Sequence, residues 1–158
     1  MPCVPRRVPT ASCGIDRAGY AAMFETAGNP HTHVILRGGS DGTNYGADAV
    51  LAAGSMLAEV GLEPLIMIDC SHANSGKKHQ RQAAVFRDAL DQIRARKQDS
   101  GLRAPKIIGL MLESNLEAGR QDLPEDRSAL RYGVSVTDAC MDWETTHALL
   151  EEGHRALG

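Results

Sequence analysis

Three runs of mainly apolar residues divide the chain, and each has the length of a strand buried on both faces. They lie at 33–37, 65–69 and 106–112. Runs of this length, bounded by glycine, proline and polar residues, favour the inner strands of a parallel sheet. Each run leads directly into a polar segment. The pattern therefore predicts three strands whose carboxyl ends carry the polar side chains.

Apolar residues at helical spacing follow the first two strands and close the chain. This spacing predicts helices at about 47–60, 77–97 and 143–157. Gly61 suits the position just after the first helix, and Asp142 can cap the third. The predicted buried faces are Val50, Ala53, Leu57 and Val60 in the first helix, Ala83, Phe86, Leu90 and Ile93 in the second, and Leu150, His154 and Leu157 in the third.

The beginning of the chain has a different character. Residues 1–11 contain three prolines and no periodicity, which predicts an irregular N-terminal arm. Strand-like runs at 12–16 and 20–26 flank Arg17-Ala18-Gly19, a sequence typical of a β-hairpin with a glycine turn. We therefore expect an arm followed by a single domain over 12–158.

Alternating strands and helices predict an α/β fold with right-handed crossovers. Three parallel strands, however, leave two long apolar edges and too little sheet to bury both faces. The polar connection at 116–131 is too irregular to add to the core. The pattern therefore indicates part of a larger sheet, and its periodicity leaves open whether that sheet is a barrel or doubly wound.

Composition narrows the class of protein. The 158 residues are 42% hydrophobic, which suits a folded domain, and the net charge of −3 carries no long block of one sign. We therefore expect a small-molecule ligand, with neither nucleic acid nor a membrane as partner. The chain begins without an apolar signal segment, which favours the cytoplasm. The four cysteines have no C-x-x-C spacing, which argues against a disulfide scaffold or a structural zinc site.

A charged or coordinating residue follows each predicted strand: Arg37, His72 and Glu113. Asp138 lies in a further short apolar stretch before the last helix. Because the carboxyl ends of parallel strands converge on one rim, we expect these side chains to meet. Imidazole with two carboxylates suits Mn, Fe, Co or Zn, and a guanidinium matches phosphate or carboxylate. The pattern predicts an anionic metabolite beside a divalent metal.

Each candidate also has a plainer interpretation. His72 could be a loop hydrogen-bonding residue, Glu113 and Asp138 could cap turns or helices, and Arg37 could pair with a neighbouring acid. The polar residues around the second strand leave similar alternatives open: Asp69 could orient a neighbour, Ser71, Asn74 and Ser75 could cap the next helix or contact a ligand, and Lys77 and Lys78 could form a solvated first helical turn.

Four segments carry recognisable motifs in order along the chain. They are I-L-R-G-G at 35–39 with Asn44-Tyr45, M-I-D-C-S-H-A-N-S at 67–75, G-L-M-L-E-S at 109–114, and Tyr132-Gly133 with S-V-T-D-A-C-M-D-W-E at 135–144. Together they closely resemble the class I 3-deoxy-D-arabino-heptulosonate 7-phosphate (DAHP) synthases, over the last part of that family's chain. The resemblance implies a partial (β/α)8 TIM barrel, in which three C-terminal βα units follow a short β-hairpin.

The resemblance also implies an activity. DAHP synthases condense phosphoenolpyruvate with erythrose 4-phosphate and release phosphate, which is the first step of the shikimate pathway to the aromatic amino acids. By this resemblance His72, Glu113 and Asp138 hold a divalent metal, and His72 and Asp138 are catalytic. Arg37 falls on the arginine that binds the phosphate of phosphoenolpyruvate. The metal polarises the aldehyde as a Lewis acid.

Two motifs of the family do not occur in this sequence. They are G-P-C-S, which supplies a metal-binding cysteine, and K-P-R-T, which binds erythrose 4-phosphate. We therefore expect the isolated chain to be inactive and to need a missing N-terminal half-barrel or a homo-oligomer. Two alternatives stay open: a non-catalytic remnant that pairs with a partner barrel or binds a phosphorylated metabolite, and the related 3-deoxy-octulosonate 8-phosphate synthase.

Overall fold

The computed structural model describes residues 9–98 and 105–158. The chain forms two units, Met1–Val34 and Ile35–Gly158. Most of the predicted N-terminal arm lies outside the described residues. Its last two residues, Thr10 and Ala11, belong to the first strand, so the hairpin begins earlier than the sequence indicated.

The first unit contains the predicted β-hairpin. Strand β1 (Thr10–Ile15) pairs antiparallel with β2 (Ala21–Thr26) over the full length of both strands. The Asp16 carboxylate accepts hydrogen bonds from two amides of the connecting turn, each at 2.9 Å. Gly19 has a φ of 87°, a left-handed conformation that favours glycine. The side chain at the strand end and the glycine together fix the turn.

The second unit contains a three-stranded sheet. Its strands are β3 (Val34–Leu36), β4 (Leu65–Asp69) and β5 (Lys106–Met111), in the order β3-β4-β5. Strands β4 and β5 are parallel, with a register shift between Ile66 and Met67. All three strands fall on the predicted apolar runs. Their carboxyl ends lead into the polar segments that carry the candidate residues.

Three helices accompany the sheet: α1 (Ala47–Glu59), α2 (Gln82–Gln98) and α3 (Trp143–Leu157). The bounds of α1 and α3 agree with the prediction to within a residue. The predicted start of α2 at position 77 is wrong, because Lys77 adopts a left-handed φ of 59°. A 3-10 turn at His79–Arg81 then precedes the helix.

The predicted buried face of α1 is confirmed at Val50 and Leu57 and is wrong at Val60. Val50 and Leu57 are buried, together with Gly54, but Val60 is 63% exposed. The helix ends at Glu59, so Val60 lies outside the regular turn that would direct it toward the core. Gly54 lies against Pro105, where a Cβ atom would come within 2.6 Å of the proline ring.

The predicted buried face of α3 is wrong by about one position. Leu150 is 52% exposed and His154 is exposed, whereas Leu149 is buried. Thr146 and Gly153 complete the buried face. At Gly153 a Cβ would lie 3.1 Å from the Phe86 ring, so this glycine permits close packing of α3 against α2.

The core of the second unit surrounds β4, where Ile66 and Ile68 are fully buried. Several polar side chains are buried with them, and polar groups removed from water require hydrogen-bond partners. The buried polar residues are Asp69, Ser71, Asn74, Ser75, Gln82, Ser135 and Thr146.

None of the helices in the described ranges combines the length and apolar character of a membrane span.

Candidate functional site

Three side chains that could hold a metal ion meet at the carboxyl ends of β4 and β5. His72, Glu113 and Asp138 each offer one ligand atom, and these atoms lie within 4.8 Å of one another. They come from the turn after β4, the segment just after β5 and the loop before α3. Nε2 of His72 is 3.7 Å from Oε1 of Glu113. When ligand atoms lie about 2.0–2.2 Å from one ion, they are separated from one another by a distance close to that between these two atoms.

Asp69 orients the imidazole of His72. Its Oδ2 lies 2.7 Å from Nδ1 of His72, and its Oδ1 accepts a hydrogen bond from the Ser71 amide at 2.8 Å. With a proton on Nδ1 donated to the buried carboxylate, Nε2 presents a lone pair toward Glu113. This carboxylate–histidine pair is the usual support of a metal-binding histidine. Of the roles open to Asp69, the geometry favours that of orienting its neighbour.

The turn after β4 has an unusual backbone. His72 has a φ of 43°, and Lys77 has a φ of 59°. Left-handed conformations are uncommon for residues other than glycine and are found at sites where the surroundings enforce them. The Lys77 amide donates to the His72 carbonyl at 2.8 Å, which closes the turn. The turn therefore directs the His72 side chain back over the end of β4.

Glu113 is held at both its side chain and its backbone. The Ser71 hydroxyl donates to Oε2 of Glu113 at 2.5 Å, which leaves Oε1 facing His72. The Glu113 amide donates to the side chain of Gln82 at 2.8 Å, and the Gln82 amide group donates to the Glu113 carbonyl at 3.2 Å. These contacts give the carboxylate one position relative to the imidazole.

Arg37 lines the same cavity as the three metal-binding candidates. The cavity walls are formed by Arg37, Ser71, His72, Lys77, Glu113, Asp138 and Ala139. The structure therefore brings together all four side chains predicted to meet. It adds Lys77, for which the sequence indicated only a solvated helical turn. A guanidinium and an ammonium beside this group of one histidine and two carboxylates suit a phosphate or carboxylate ligand.

Two asparagines fix the backbone on either side of Arg37. The buried Asn74 donates to the Leu36 carbonyl at 3.0 Å and accepts from the Asn44 amide at 2.8 Å. Asn44 in turn accepts from the Gly38 amide at 2.6 Å. The loop after β3 is thereby tied to the turn that carries His72.

Gly38 allows the Arg37 loop to lie directly against that turn. Its φ is 75°, and a Cβ at this position would come within 2.7 Å of the Ala73 side chain. Any larger residue would push the loop outward. The glycine that follows Arg37 therefore allows the backbone that carries Arg37 to lie close to the turn that carries His72.

Two cysteines lie close to the site within the matched motifs. Burial, aided by the charge of Asp69, raises the pKa of the Cys70 thiol to about 12. Burial also raises the pKa of the Cys140 thiol, which donates to the Asp138 carbonyl at 3.5 Å. Both side chains are therefore thiols at neutral pH and pack as small, weakly polar groups.

Gln82 and Asn44 support the site without having been predicted from the sequence. Gln82 begins α2 beside Ala83 and Ala84. A neutral polar residue at a predicted helix position is common, so the sequence gives no sign of a special role. Asn44 lies in a loop rich in glycine and polar residues, where asparagine is common. Only the three-dimensional pairing of each residue with a backbone group reveals its role.

The fold and the site together define an α/β protein with a histidine and carboxylate cluster beside two cationic side chains. A family profile described as the DAHP synthetase I family matches residues 8–151. The chain belongs to this family, which confirms the resemblance of its four motifs.

Known relatives agree with this assignment. The Tyr-sensitive phospho-2-dehydro-3-deoxyheptonate aldolase of Salmonella typhimurium (strain LT2) is 47% identical over 94% of the chain, and that of Escherichia coli (strain K12) is 46% identical over 94%. The chain spans 40% of the length of each. The phospho-2-dehydro-3-deoxyheptonate aldolase of Francisella tularensis SCHU S4 superposes with a TM-score of 0.84 at 38% identity, over 96% of this chain and 42% of that one.

Proposed function

We propose that this chain provides part of the active site of a DAHP synthase, which condenses phosphoenolpyruvate with erythrose 4-phosphate and releases phosphate. The observation that carries the proposal is the meeting of His72, Glu113 and Asp138 in a cavity also lined by Arg37. The chain spans 40% of the length of its bacterial relatives. We therefore propose that a second polypeptide segment supplies the remaining anion-binding groups and a further metal ligand.

We further propose that β3, β4 and β5 with their helices form three βα units of a (β/α)8 barrel. The parallel pairing of β4 and β5 supports this, as does the position of the cluster at the strands' carboxyl ends. That end of the barrel strands carries the active site in enzymes of this architecture.

A cytoplasmic location stays a prediction from the sequence.

The donor set fits a divalent ion of the Mn, Fe, Co or Zn type, because one imidazole and two carboxylates are ligands that these ions share. His72, Glu113 and Asp138 would hold it. When bound, such an ion polarises the aldehyde oxygen of erythrose 4-phosphate as a Lewis acid.

The chain's own residues divide the remaining work. Arg37 and Lys77 bind the anionic groups of phosphoenolpyruvate, since both line the cavity. Asp69 keeps the proton of His72 on Nδ1 by accepting its hydrogen bond. Asp138 is the exposed member of the cluster. We assign it the further task of accepting a proton from the water that adds to C2 after carbon–carbon bond formation.

Phosphate release measures this activity directly. The purified chain is incubated with Mn²⁺ and both substrates, first alone and then with the N-terminal half of a bacterial DAHP synthase supplied in trans. We expect no turnover from the chain alone and measurable phosphate release from the mixture. The Arg37→Ala variant, mixed with the same half, should lose that activity. Absence of turnover from every such mixture contradicts the enzymatic proposal.

A second candidate function is that of a non-catalytic partner of another barrel. It is favoured by the outer strands of the sheet, where Ile35 and Ile108 are each 51% exposed. A partner covering these side chains would remove apolar surface from water. The mixture with the N-terminal half separates the candidates. Co-elution of the two polypeptides in size-exclusion chromatography without phosphate release supports this second function, and phosphate release contradicts it.

A further inference from the structure

Gln82 makes two hydrogen bonds to Glu113, one of the three side chains that could hold a metal ion. It is the first residue of α2 and has no exposed surface. Its side-chain oxygen accepts from the Glu113 amide at 2.8 Å, and its side-chain nitrogen donates to the Glu113 carbonyl at 3.2 Å. One amide side chain therefore pairs with both backbone groups of Glu113, as an adjacent strand would.

The position of Glu113 explains why such a pairing is needed. Strand β5 ends at Met111, so Glu113 lies beyond the regular ladder with β4. Its carbonyl also accepts from the Met141 amide at 3.0 Å, but its own amide donates to Gln82. Without Gln82 that amide would be left without an acceptor in a partly buried setting, which is unfavourable.

A rotation of the Glu113 backbone would displace its carboxylate. In the structure that carboxylate has one oxygen on the Ser71 hydroxyl and the other 3.7 Å from Nε2 of His72. Both contacts depend on where the Cα–Cβ bond of Glu113 points. The backbone pairing with Gln82 thus determines whether the carboxylate can share an ion with the imidazole.

We propose that Gln82 is a positioning residue of the metal centre, acting through the backbone of Glu113. Asp69 plays the corresponding part for His72 through the imidazole. Residues that hydrogen-bond to metal ligands and orient them commonly contribute about 10–100-fold to metal affinity. The inference rests on the proposed metal-binding function, but the pairing itself is a property of this chain.

The pairing is tested first without metal, by hydrogen exchange of the Glu113 amide measured by NMR. Gln82→Met keeps the side-chain volume and removes both hydrogen bonds, whereas Gln82→Glu keeps an oxygen that can accept from the amide. We expect a protected Glu113 amide in the unmodified chain, much faster exchange in Gln82→Met and retained protection in Gln82→Glu. Equal exchange in all three proteins would overturn the proposal.

The consequence for the metal is tested by titrating each protein with Mn²⁺ and following the free ion by electron paramagnetic resonance. We expect Gln82→Met to bind Mn²⁺ about 10–100-fold more weakly. Val85→Ala is the matched control, because Val85 is also buried on α2 and its side chain has no hydrogen-bonding group. It should lower the unfolding temperature and leave the affinity unchanged.

These outcomes distinguish failure of metal binding from failure of the positioning role. Failure of the unmodified chain to bind Mn²⁺ would contradict the proposed function, while the exchange data would still test the pairing. An unmodified chain that binds Mn²⁺ no more tightly than Gln82→Met would overturn the positioning role alone. If Gln82→Met does not fold, Gln82→Glu supplies both measurements, because it keeps the acceptor for the Glu113 amide and loses the donor to the Glu113 carbonyl. We then expect the Glu113 amide to stay protected and the affinity for Mn²⁺ to fall below that of the unmodified chain. An affinity equal to that of the unmodified chain would overturn the positioning role.

Discussion

The buried carboxylate of Asp69 lies 2.7 Å from Nδ1 of His72, while Nε2 of the same ring faces Glu113 at 3.7 Å. The imidazole thus has one nitrogen committed to a structural partner and the other free to bind a ligand. This division depends on the left-handed backbone of His72, which turns the ring back over the strand. The hydrogen bond between Asp69 and His72 therefore fixes which ring nitrogen faces Glu113.

Replacing Asp69 by Asn should weaken metal binding without disrupting the turn. The amide oxygen can still accept from the Ser71 backbone, but the side chain no longer holds the proton of His72 by charge. We expect the affinity for Mn²⁺, measured by titration, to fall about 10–100-fold. The control is Asp91→Asn on α2, where the carboxylate is 74% exposed and pairs with Arg94. A similar loss in both variants would contradict this role.

Lys77 should contribute to anion binding rather than to stability. Lys77→Asn removes the ammonium group and retains a residue that tolerates the observed φ of 59°. We expect phosphoenolpyruvate to bind about tenfold more weakly, measured by calorimetry in the presence of Mn²⁺. The unfolding temperature should change little.

Lys78 provides the comparison for this prediction. It follows Lys77 in the chain, is exposed and lies outside the lining of the cavity. Lys78→Asn should leave the affinity for phosphoenolpyruvate unchanged. If both substitutions weaken binding equally, the effect is one of net charge, and the specific placement of Lys77 is contradicted.

The cap of α3 predicts a pH-dependent contribution to stability. Asp142 accepts a hydrogen bond from the Thr145 amide at 2.7 Å. Hydrogen bonds from the side chain and the backbone of Thr145 lower the pKa of the Asp142 carboxyl. Since the folded pKa lies below the unfolded one, the stabilisation is complete above the unfolded value and is lost as the pH falls through the folded value.

Asp142→Ala should therefore lower the free energy of unfolding by about 1 kcal/mol at pH 7, measured by urea denaturation. The difference from the unmodified chain should shrink as the pH falls below about 4. Asp142→Asn keeps a capping oxygen and should remove most of the pH dependence at this site. A difference that stays constant down to pH 3 would contradict this account of the cap.

The strands and the clustering of the site could be predicted because each rests on local pattern and on general topology. Continuous apolar runs such as 65–69 have few alternatives, and β4 occupies that range. The meeting of His72 with Glu113 follows from the rule that parallel strands end on one rim. The strands could be predicted from continuous apolar runs, and the clustering could be predicted because His72 and Glu113 each follow a strand end closely in the chain.

The features that escaped prediction depend on tertiary contacts. The start of α2 was placed too early because nothing local shows that Lys77 takes a left-handed backbone. The predicted buried face of α3 is wrong because Leu149 and Leu150 are equally apolar, and only tertiary packing decides that Leu149 is the buried one. Gln82 was missed because its partner, Glu113, lies 31 residues away in the chain.

Binding of Mn²⁺ to the purified chain tests the central claim, that His72, Glu113 and Asp138 form one metal site. The measurement is an electron paramagnetic resonance titration of the unmodified chain, of His72→Ala and of His147→Ala, a histidine exposed on α3 outside the cluster. We predict one equivalent of Mn²⁺ for the unmodified chain and for His147→Ala, and none for His72→Ala. Equal binding by all three proteins would contradict the claim.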